Sequence, residues 1–257
     1  MADEVLRERR GRVEILTINR PEARNAINGA VSLAMSAALD ELGDDPDVLV
    51  VIVTGAGDKA FSAGMDLKAF ASGEGASIIS GTGGFAGMTR REFAKPIIAA
   101  VNGPALAGGC EIMLACDLVV AADHAYFGIP EVKRGLIAGA GALVRLPKRL
   151  PLGVALELAL TGEPISAERA LGLGLVNRVV PGTALMDEAM QLAEQITQNA
   201  PLAVRNSLEV LRRAADLPEA EGWKVNDSMV GPVFSSEDAM EGSIAFAEKR
   251  APNWKGR

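Results

Sequence analysis

The chain has 257 residues, of which 49% are hydrophobic and 4% aromatic, and its formal net charge is −7. This composition supplies a sizeable aliphatic core and excludes an intrinsically disordered protein. The negative charge argues against a nucleic-acid binder that uses a broad basic face. With one histidine and two cysteines, the chain has too few of these residues for a disulfide framework or a histidine-based metal site.

The start of the chain and its most apolar region predict a cytoplasmic location. The first twelve residues are charged and no apolar stretch follows them, so we expect no signal peptide. The most apolar region, residues 97–122, is interrupted by Asn102, Glu111 and Asp117. These polar residues predict that it does not span a membrane.

Hydrophobic periodicity predicts an α/β fold in which strands alternate with helices. A helix is predicted from Val31 to Leu42, where apolar residues recur at helical spacing, and another from Gly108 to Cys116. Strands are predicted at Val13–Ile18, Val48–Val53, Ile97–Val101 and Leu118–Ala122. Such an order favours right-handed crossover connections around one sheet.

Two regions depart from this alternation. Residues 72–88 include six glycines and predict a long loop that acts as a lid, a binding loop or a disordered segment. After about Asn199 we expect two helices, Pro201–Ala215 and Ser236–Lys249, separated by a joint around Gly231-Pro232. The sequence thus predicts a core of residues 1–199 and a helical part of residues 200–257.

The sharpest chemical feature is Glu111, because every neighbour in residues 108–116 is apolar or small. A helix that is apolar on all sides is buried, and a carboxylate there should have a raised pKa. Glu111 has either a structural partner, such as an arginine, or a place in an active-site cavity. Glu131, after the turn-like Phe127-Gly128-Ile129-Pro130, favours the cavity, since two carboxylates suffice for acid–base chemistry without histidine.

Two helix starts could supply backbone donors to the same site. Gly108-Gly109 opens one predicted helix, and residues 63–67 open another, with Asp66 in its first turn. Helix starts carry free N–H groups, and glycine lets a ligand approach them closely. Two such groups that meet on one oxygen form an oxyanion hole.

These segments resemble the enoyl-CoA hydratase/isomerase (crotonase) superfamily, and the resemblance runs in one register from about residue 12 to the end. The matching motifs are Asn19-Arg20-Pro21, Phe61-Ser62-Ala63-Gly64-Met65-Asp66-Leu67-Lys68, Asn102-Gly103-Pro104-Ala105-Leu106-Ala107-Gly108-Gly109-Cys110-Glu111, Phe127-Gly128-Ile129-Pro130-Glu131, residues 161–167 and Phe246-Ala247-Glu248-Lys249-Arg250. The resemblance implies a crotonase-type, ClpP-like α/β spiral of ββα units. It also implies a helical C-terminal oligomerisation region and assembly as a homotrimer or homohexamer.

The resemblance also implies a role for each matching residue. The N–H groups of Met65 and Gly108 would form the oxyanion hole, Glu111 and Glu131 would be catalytic, and Gly139 would help to hold the attacking water. Coenzyme A would bind along Ala63, Met65, Asp66, Leu67 and Lys68. Lys249 would approach the phosphates of a coenzyme A on a neighbouring subunit, or it is simply a solvated helix end.

The activity that the resemblance implies is hydration of trans-2-enoyl-CoA to 3-hydroxyacyl-CoA by an enoyl-CoA hydratase, which is a hydro-lyase of fatty-acid or related acyl-CoA metabolism. We expect no metal and no cofactor beyond the coenzyme A of the acyl-CoA substrate. Two alternatives are double-bond isomerisation or another CoA-enolate reaction, and a non-catalytic acyl-CoA-binding protein. The presence of both glutamates argues against each alternative.

Overall fold

A six-stranded sheet carries most of the apolar runs of the sequence. The computed structural model describes residues 3–79 and 82–257. The strands are β1 (Val5–Arg10), β2 (Val13–Ile18), β3 (Val50–Gly55), β4 (Ile97–Val101), β5 (Ala105–Leu106), β6 (Leu118–Ala122), β7 (Tyr126–Gly128), β8 (Ile165–Ser166) and β9 (Arg178–Val180). The large sheet has the order β1-β2-β3-β4-β6-β9, and only the β1–β2 pair is antiparallel.

Helices make up most of the remaining chain. They are α1 (Gly29–Asp44), α2 (Leu67–Ala69), α3 (Gly75–Ile78), α4 (Gly108–Ala115), α5 (Ala142–Arg149), α6 (Leu152–Thr161), α7 (Ala167–Gly172), α8 (Leu185–Thr197), α9 (Pro201–Ala214), α10 (Glu219–Phe234) and α11 (Glu237–Glu248). Short 3-10 turns lie at Pro21–Ala23, Phe85–Gly87, Pro130–Arg134 and Gly182–Ala184, and a π-helical segment lies at Phe70–Glu74. None of the described helices is long and apolar enough to cross a membrane.

Helices cover both faces of the large sheet, which explains why its strands β3, β4 and β6 read as continuous apolar runs. One face packs against α8, whose Leu185, Ala189 and Ala193 lie among side chains of β2, β3, β4 and β6. The other face packs against α1 and α4 in the larger core cluster. The predicted α/β class and the predicted strands β2, β4 and β6 are confirmed, and β3 begins two residues later than predicted.

The outer edge of the large sheet is β1, a strand that the sequence analysis did not predict. Five of its six residues are exposed, so it lacks the apolar alternation that marks a half-buried strand. Its Arg7 and Arg9 donate to the two carboxylate oxygens of the buried Glu14, at 2.9 and 3.0 Å. Backbone pairing with β2 and these ion pairs therefore define the strand.

A smaller sheet gathers the segments that follow the central strands. Its order is β5-β7-β8, and Ser62 pairs with Ala105 on the outer side of β5. The segments that follow β3, β4 and β6 therefore meet at the smaller sheet. Helix α4 starts directly after β5, so its N-terminus lies at this meeting point.

The second half of the glycine-rich segment is a loop, as predicted, with one 3-10 turn at Phe85–Gly87, and its role as a lid or binding loop stays a prediction. Residues 83–89 are all buried, and this stretch packs against α1. The first half forms the π-helical segment and α3. Ser80 and Gly81 lie outside the described residues.

The C-terminal part is helical, as predicted, but its joint is not where we expected it. Gly231 and Pro232 lie inside α10, which continues to Phe234. A proline near the C-terminal end of a helix forfeits only one backbone hydrogen bond there, so the helix does not break. Helix α9 is tied to the core by Arg212, which donates to both oxygens of Asp117 at 2.9 and 2.7 Å. The division at residue 199/200 stays a prediction and falls in the short connection between α8 and α9.

Replacement of Gly109 by alanine should destabilise the fold. A Cβ at Gly109 would lie 2.1 Å from the carbonyl oxygen of Ser62, so α4 would have to move away from the smaller sheet. We expect Gly109→Ala to lower the free energy of unfolding by about 1–3 kcal/mol or more, as for other overpacked sites, in urea titrations followed by circular dichroism.

Gly153→Ala is the matched control, because no atom lies within 4 Å of the Cβ it would add on α6. It should leave stability unchanged or raise it by about 0.5–1 kcal/mol, through the higher helix propensity of alanine. Equal stability of the two variants would mean that α4 does not approach Ser62 this closely.

Candidate active site

Backbone hydrogen bonds hold three of the predicted motifs together. The N–H of Leu106 donates to the carbonyl of Ser62 at 3.1 Å, and the N–H of Ala107 donates to the carbonyl of Gly128 at 2.9 Å. These bonds place residues 62–66, the start of α4 and the turn that carries Glu131 around one point. The spatial meeting of the three motifs is thus a property of the smaller sheet.

Two backbone donors lie next to each other at this point. A Cβ at Gly64, whose φ is +86°, would be 2.7 Å from the nitrogen of Gly108, so the two segments are in direct contact. The N–H of Asp66 donates to Ile27 at 2.9 Å, whereas those of Met65 and Gly108 donate to no other group in residues 3–79 and 82–257. Adjacent unpaired N–H groups are what an oxyanion hole requires.

The residue before Gly108 has a strained backbone. Ala107 caps α4 with φ 52° and ψ −128°, a combination that residues with a Cβ rarely adopt. Such conformations cost on the order of 1–3 kcal/mol and persist only where the surroundings impose them. Here the hydrogen bond to Gly128 and the contact with Gly64 hold Ala107 in this conformation. The conformation directs the N–H of Gly108, the first residue of α4, toward the site.

Glu111 lies one turn further along α4 and is 3% exposed. Its Oε1 accepts the N–H groups of Ala140 at 2.7 Å and Ala142 at 3.1 Å. Burial raises the pKa of Glu111 above its ordinary value, and these donors offset only part of the rise. Glu111 therefore has partners, but they are backbone amides, and no ion pair of the described residues includes it.

Arg145 holds the loop that carries these donors, and the sequence analysis did not identify it. Its guanidinium donates to the carbonyl of Thr89 and, at 3.4 Å, to that of Ala140. Gly141 has φ +123°, which favours glycine, and a Cβ there would lie 2.1 Å from Nη1 of Arg145, so the guanidinium would have to shift. The signal in the sequence is a glycine followed four residues later by an arginine, which by itself suggests no function.

Glu131 lies in the 3-10 turn Pro130–Arg134 and has an unpaired oxygen. Its Oε2 is buried and has no hydrogen-bond partner in the described part of the chain. Burial raises the pKa of Glu131, and the negative charge of Glu111 raises it further. Since the two carboxyl groups sense each other, they titrate as a coupled pair. An unpaired buried carboxyl oxygen next to another carboxylate can take or give a proton.

Gly139 is exposed and directly precedes Ala140. The amides that hold Glu111 belong to Ala140 and Ala142, one and three residues further on. The predicted role of Gly139 in holding a water stays a prediction.

The residues predicted to line the coenzyme A site surround the short helix α2. Ala63, Leu67 and Lys68 are exposed at this surface. Asp66 is the N-cap of α2 rather than part of its first turn, and it accepts a hydrogen bond from Arg20 at 3.0 Å. Burial acts to raise the pKa of Asp66, but the amide donors of the cap and Arg20 outweigh it and lower the pKa.

Within one chain, Lys249 does not belong to this group of residues around α2. It caps the C-terminal end of α11 with φ 54° and is exposed. Helix α11 packs against α10. In the described parts of the chain, no ion pair or hydrogen bond joins the Lys249 side chain to residues 63–68.

Both cysteines are buried free thiols, and burial raises the pKa of each. Within the residues that the structure describes, no three His, Cys, Asp or Glu side chains are grouped so that they could hold a metal ion.

Known proteins are similar to this chain in sequence and fold over nearly their whole length. The family model described as enoyl-CoA hydratase/isomerase matches residues 8–257. A carnitinyl-CoA dehydratase of Salmonella typhi is 46% identical over 262 residues, with all of both chains covered. The crystal structure of an enoyl-CoA hydratase from Mycobacterium marinum is 51% identical, with a TM-score of 0.95 over 99% of this chain and 100% of that chain. That of a carnitinyl-CoA hydratase from Mycobacterium avium is 50% identical, with a TM-score of 0.80 over 100% of both chains.

Replacement of Glu111 by glutamine should stabilise the folded chain at neutral and higher pH. Since the pKa of Glu111 is raised in the folded state, its ionised form is disfavoured there relative to the unfolded chain. The stability gain of Glu111→Gln should be absent below the ordinary pKa of 4.5. It should grow as the pH rises toward the raised pKa and stay constant above it. Urea titrations across this pH range measure the difference.

Glu157→Gln is the control for this titration. Glu157 is an exposed glutamate of α6 whose pKa is lowered by its hydrogen bond with Arg169, so its replacement should give no gain at higher pH. A Glu111→Gln effect that does not vary with pH would show that the carboxyl group is not held at a raised pKa.

Proposed function

This chain belongs to the enoyl-CoA hydratase/isomerase family, and from that premise we propose that it adds water to trans-2-enoyl-CoA thioesters to give 3-hydroxyacyl-CoA. The observation that carries the proposal is the grouping of a buried glutamate, Glu111, and a half-buried one, Glu131, both of raised pKa, with two adjacent unpaired amide donors. Hydration needs each of these groups, and no further cofactor enters the proposed reaction.

The amide donors act on the negative charge that forms during addition. When water oxygen bonds to the β-carbon, the electrons of the C=C bond move toward the thioester oxygen and form an enolate. The N–H groups of Met65 and Gly108 would hold that oxygen. Donors fixed where charge develops stabilise the transition state more than the ground state.

The glutamates move the two protons. Glu111, held at Oε1 by Ala140 and Ala142, would orient the water and accept one of its protons. Glu131, protonated at the start, would give its proton to the α-carbon through its unpaired Oε2. The sum is the addition of one water across the double bond, and proton exchange between the coupled carboxyl groups restores the starting state.

A second candidate substrate is carnitinyl-CoA, favoured by the relatives whose names include it. Its dehydration is the same reaction in reverse on a 3-hydroxyacyl thioester that carries a quaternary ammonium group. Isomerisation needs only one proton-transferring carboxylate in principle, and a pure binding protein needs neither. The raised pKa values of both glutamates therefore favour hydration or dehydration over these alternatives.

We also propose a cytoplasmic homotrimer or homohexamer. Large apolar side chains stand exposed on the C-terminal helices, among them Phe234 at 79%, Met240 at 65% and Phe246 at 88%. Apolar surface of this kind is typical of contacts between subunits. In such an assembly Lys249 could reach the coenzyme A of a neighbouring subunit. The free thiols of Cys110 and Cys116 are consistent with a reducing compartment.

The test follows the absorbance of the conjugated enoyl thioester, which falls on hydration and rises when carnitinyl-CoA is dehydrated. Wild-type protein should turn over at least one of crotonyl-CoA, longer trans-2-enoyl-CoAs and carnitinyl-CoA. Glu111→Gln and Glu131→Gln should each lower kcat/KM by about 10²–10⁴-fold, the usual contribution of a positioned acid or base.

Glu157→Gln should keep wild-type activity, because Glu157 is exposed and pairs with Arg169 on the surface. Circular dichroism of all three variants checks that they remain folded. Retention of most activity in either active-site variant would overturn the assigned roles. Tight binding of these thioesters with no turnover would instead support a binding protein.

A further inference from the structure

A cavity of about 190 Å³ lies at the edge of the large sheet opposite the candidate active site. Its lining includes Arg12, Leu49 and Pro96, which directly precede the parallel strands β2, β3 and β4. The candidate active site is built from segments that follow β3, β4 and β6. Because parallel strands begin at one edge of a sheet and end at the other, the cavity is separate from the two glutamates.

Four basic side chains line this cavity, and none of them is in an ion pair with any residue that the structure describes. They are Arg12, Lys95, Arg205 and Lys255. The whole chain has a net charge of −7, so the group does not reflect a general excess of positive charge. The acidic residues of the lining are Asp44 and Asp45, and Asp45 accepts a hydrogen bond at 2.6 Å from Arg9, which does not line the cavity. Positive charge therefore predominates there.

Lys95 is the buried member of this group, with 4% of its surface exposed. Its ammonium donates to the carbonyls of Leu42 and Asp45 at the end of α1. An ammonium has three N–H donors, so these bonds leave one for another acceptor. Burial lowers the pKa of Lys95, Asp45 offsets part of this effect, and the positive charge of Arg205 lowers the pKa further. An anion beside Lys95 and Arg205 would reduce the repulsion between them.

The size and charge of the cavity favour a small oxyanion. Drug-sized ligands occupy pockets of about 300–1,000 Å³, so this space is too small for coenzyme A. The guanidinium of arginine matches the paired oxygens of a phosphate or carboxylate, and lysine adds a point charge. A phosphate dianion neutralises more of the four cations than a monocarboxylate does.

We propose that this cavity binds a phosphate dianion between Lys95 and Arg205, with the exposed Arg12 and Lys255 adding to the attraction. The site does not depend on the proposed function. Lys95 belongs to the segment before β4, whereas Arg205 lies on α9 and Lys255 follows α11. A phosphate shared by these residues joins the C-terminal helices to the core and stabilises the folded chain.

Calorimetric titration of the full chain with inorganic phosphate tests this site, with chloride added to keep the ionic strength constant. Wild-type protein should bind one phosphate per chain. Arg205→Gln should raise the Kd by about tenfold or more, because it leaves the bound anion without one of its charged partners. Arg213→Gln is the matched control. Arg213 lies on the same helix, pairs with Glu209 and does not line the cavity, so its replacement should leave the Kd unchanged.

Urea titrations at the same ionic strength measure the stabilisation. Phosphate should raise the unfolding midpoint of the wild type more than that of Arg205→Gln. An equal rise in both proteins would reflect the general exclusion of phosphate from protein surfaces and would overturn the inference.

Absence of saturable binding to the wild type, or an unchanged Kd in Arg205→Gln, would also overturn it. If Arg205→Gln does not fold, the exposed Lys255 offers a second variant. Lys255→Gln should weaken binding in the same direction, and an unchanged Kd there has the same meaning. A Kd that rises in Lys68→Gln but not in Arg205→Gln would place the phosphate at the predicted coenzyme A surface instead.

Discussion

The close approach of two backbone segments, possible only without side chains, is the constraint on which the site depends. A Cβ at Gly64 would meet the nitrogen of Gly108, and a Cβ at Gly109 would meet the carbonyl of Ser62. This contact sets the start of α4 against residues 62–65, and the start of α4 in turn places both the Gly108 amide and Glu111. The loop that holds Glu111 is fixed by a weaker contact, since a Cβ at Gly141 would meet only the movable guanidinium of Arg145.

The charges of the site work against the stability of the fold. Burial raises the pKa of Glu111 and of Glu131, so each ionised form is disfavoured in the folded chain. Ala107 adds backbone strain at the same place. The surrounding structure is correspondingly well packed, with α1, α4 and the sheet sharing one large buried cluster. A rigid core of this kind can hold reactive groups in an unfavourable state.

The sequence predicted two kinds of feature well: a strand with apolar alternation, and a charged residue among apolar neighbours. Strand β2 follows from its apolar alternation, and Glu111 stands out because its neighbours are apolar. Strand β1 was missed because pairing with β2, rather than burial, defines it. The break at Gly231-Pro232 was wrong because local propensity does not show that a helix continues through a proline near its end. Arg145 acts through a contact with the carbonyl of Thr89, far away in the sequence, and no local pattern predicts such a contact.

The charged outer edge of the large sheet has a consequence for how copies of the chain can join. An exposed strand edge invites pairing with a strand from another molecule, and natural proteins discourage this with charged residues. Strand β1 presents Arg7, Glu8, Arg9 and Arg10 at that edge, and Glu14 on β2 pairs with two of the arginines without making the edge apolar. Continuation of the sheet from one chain to the next is thereby disfavoured. In the assembly proposed above, association would therefore use the helical surfaces, where geometry can close a ring instead of extending a fibre.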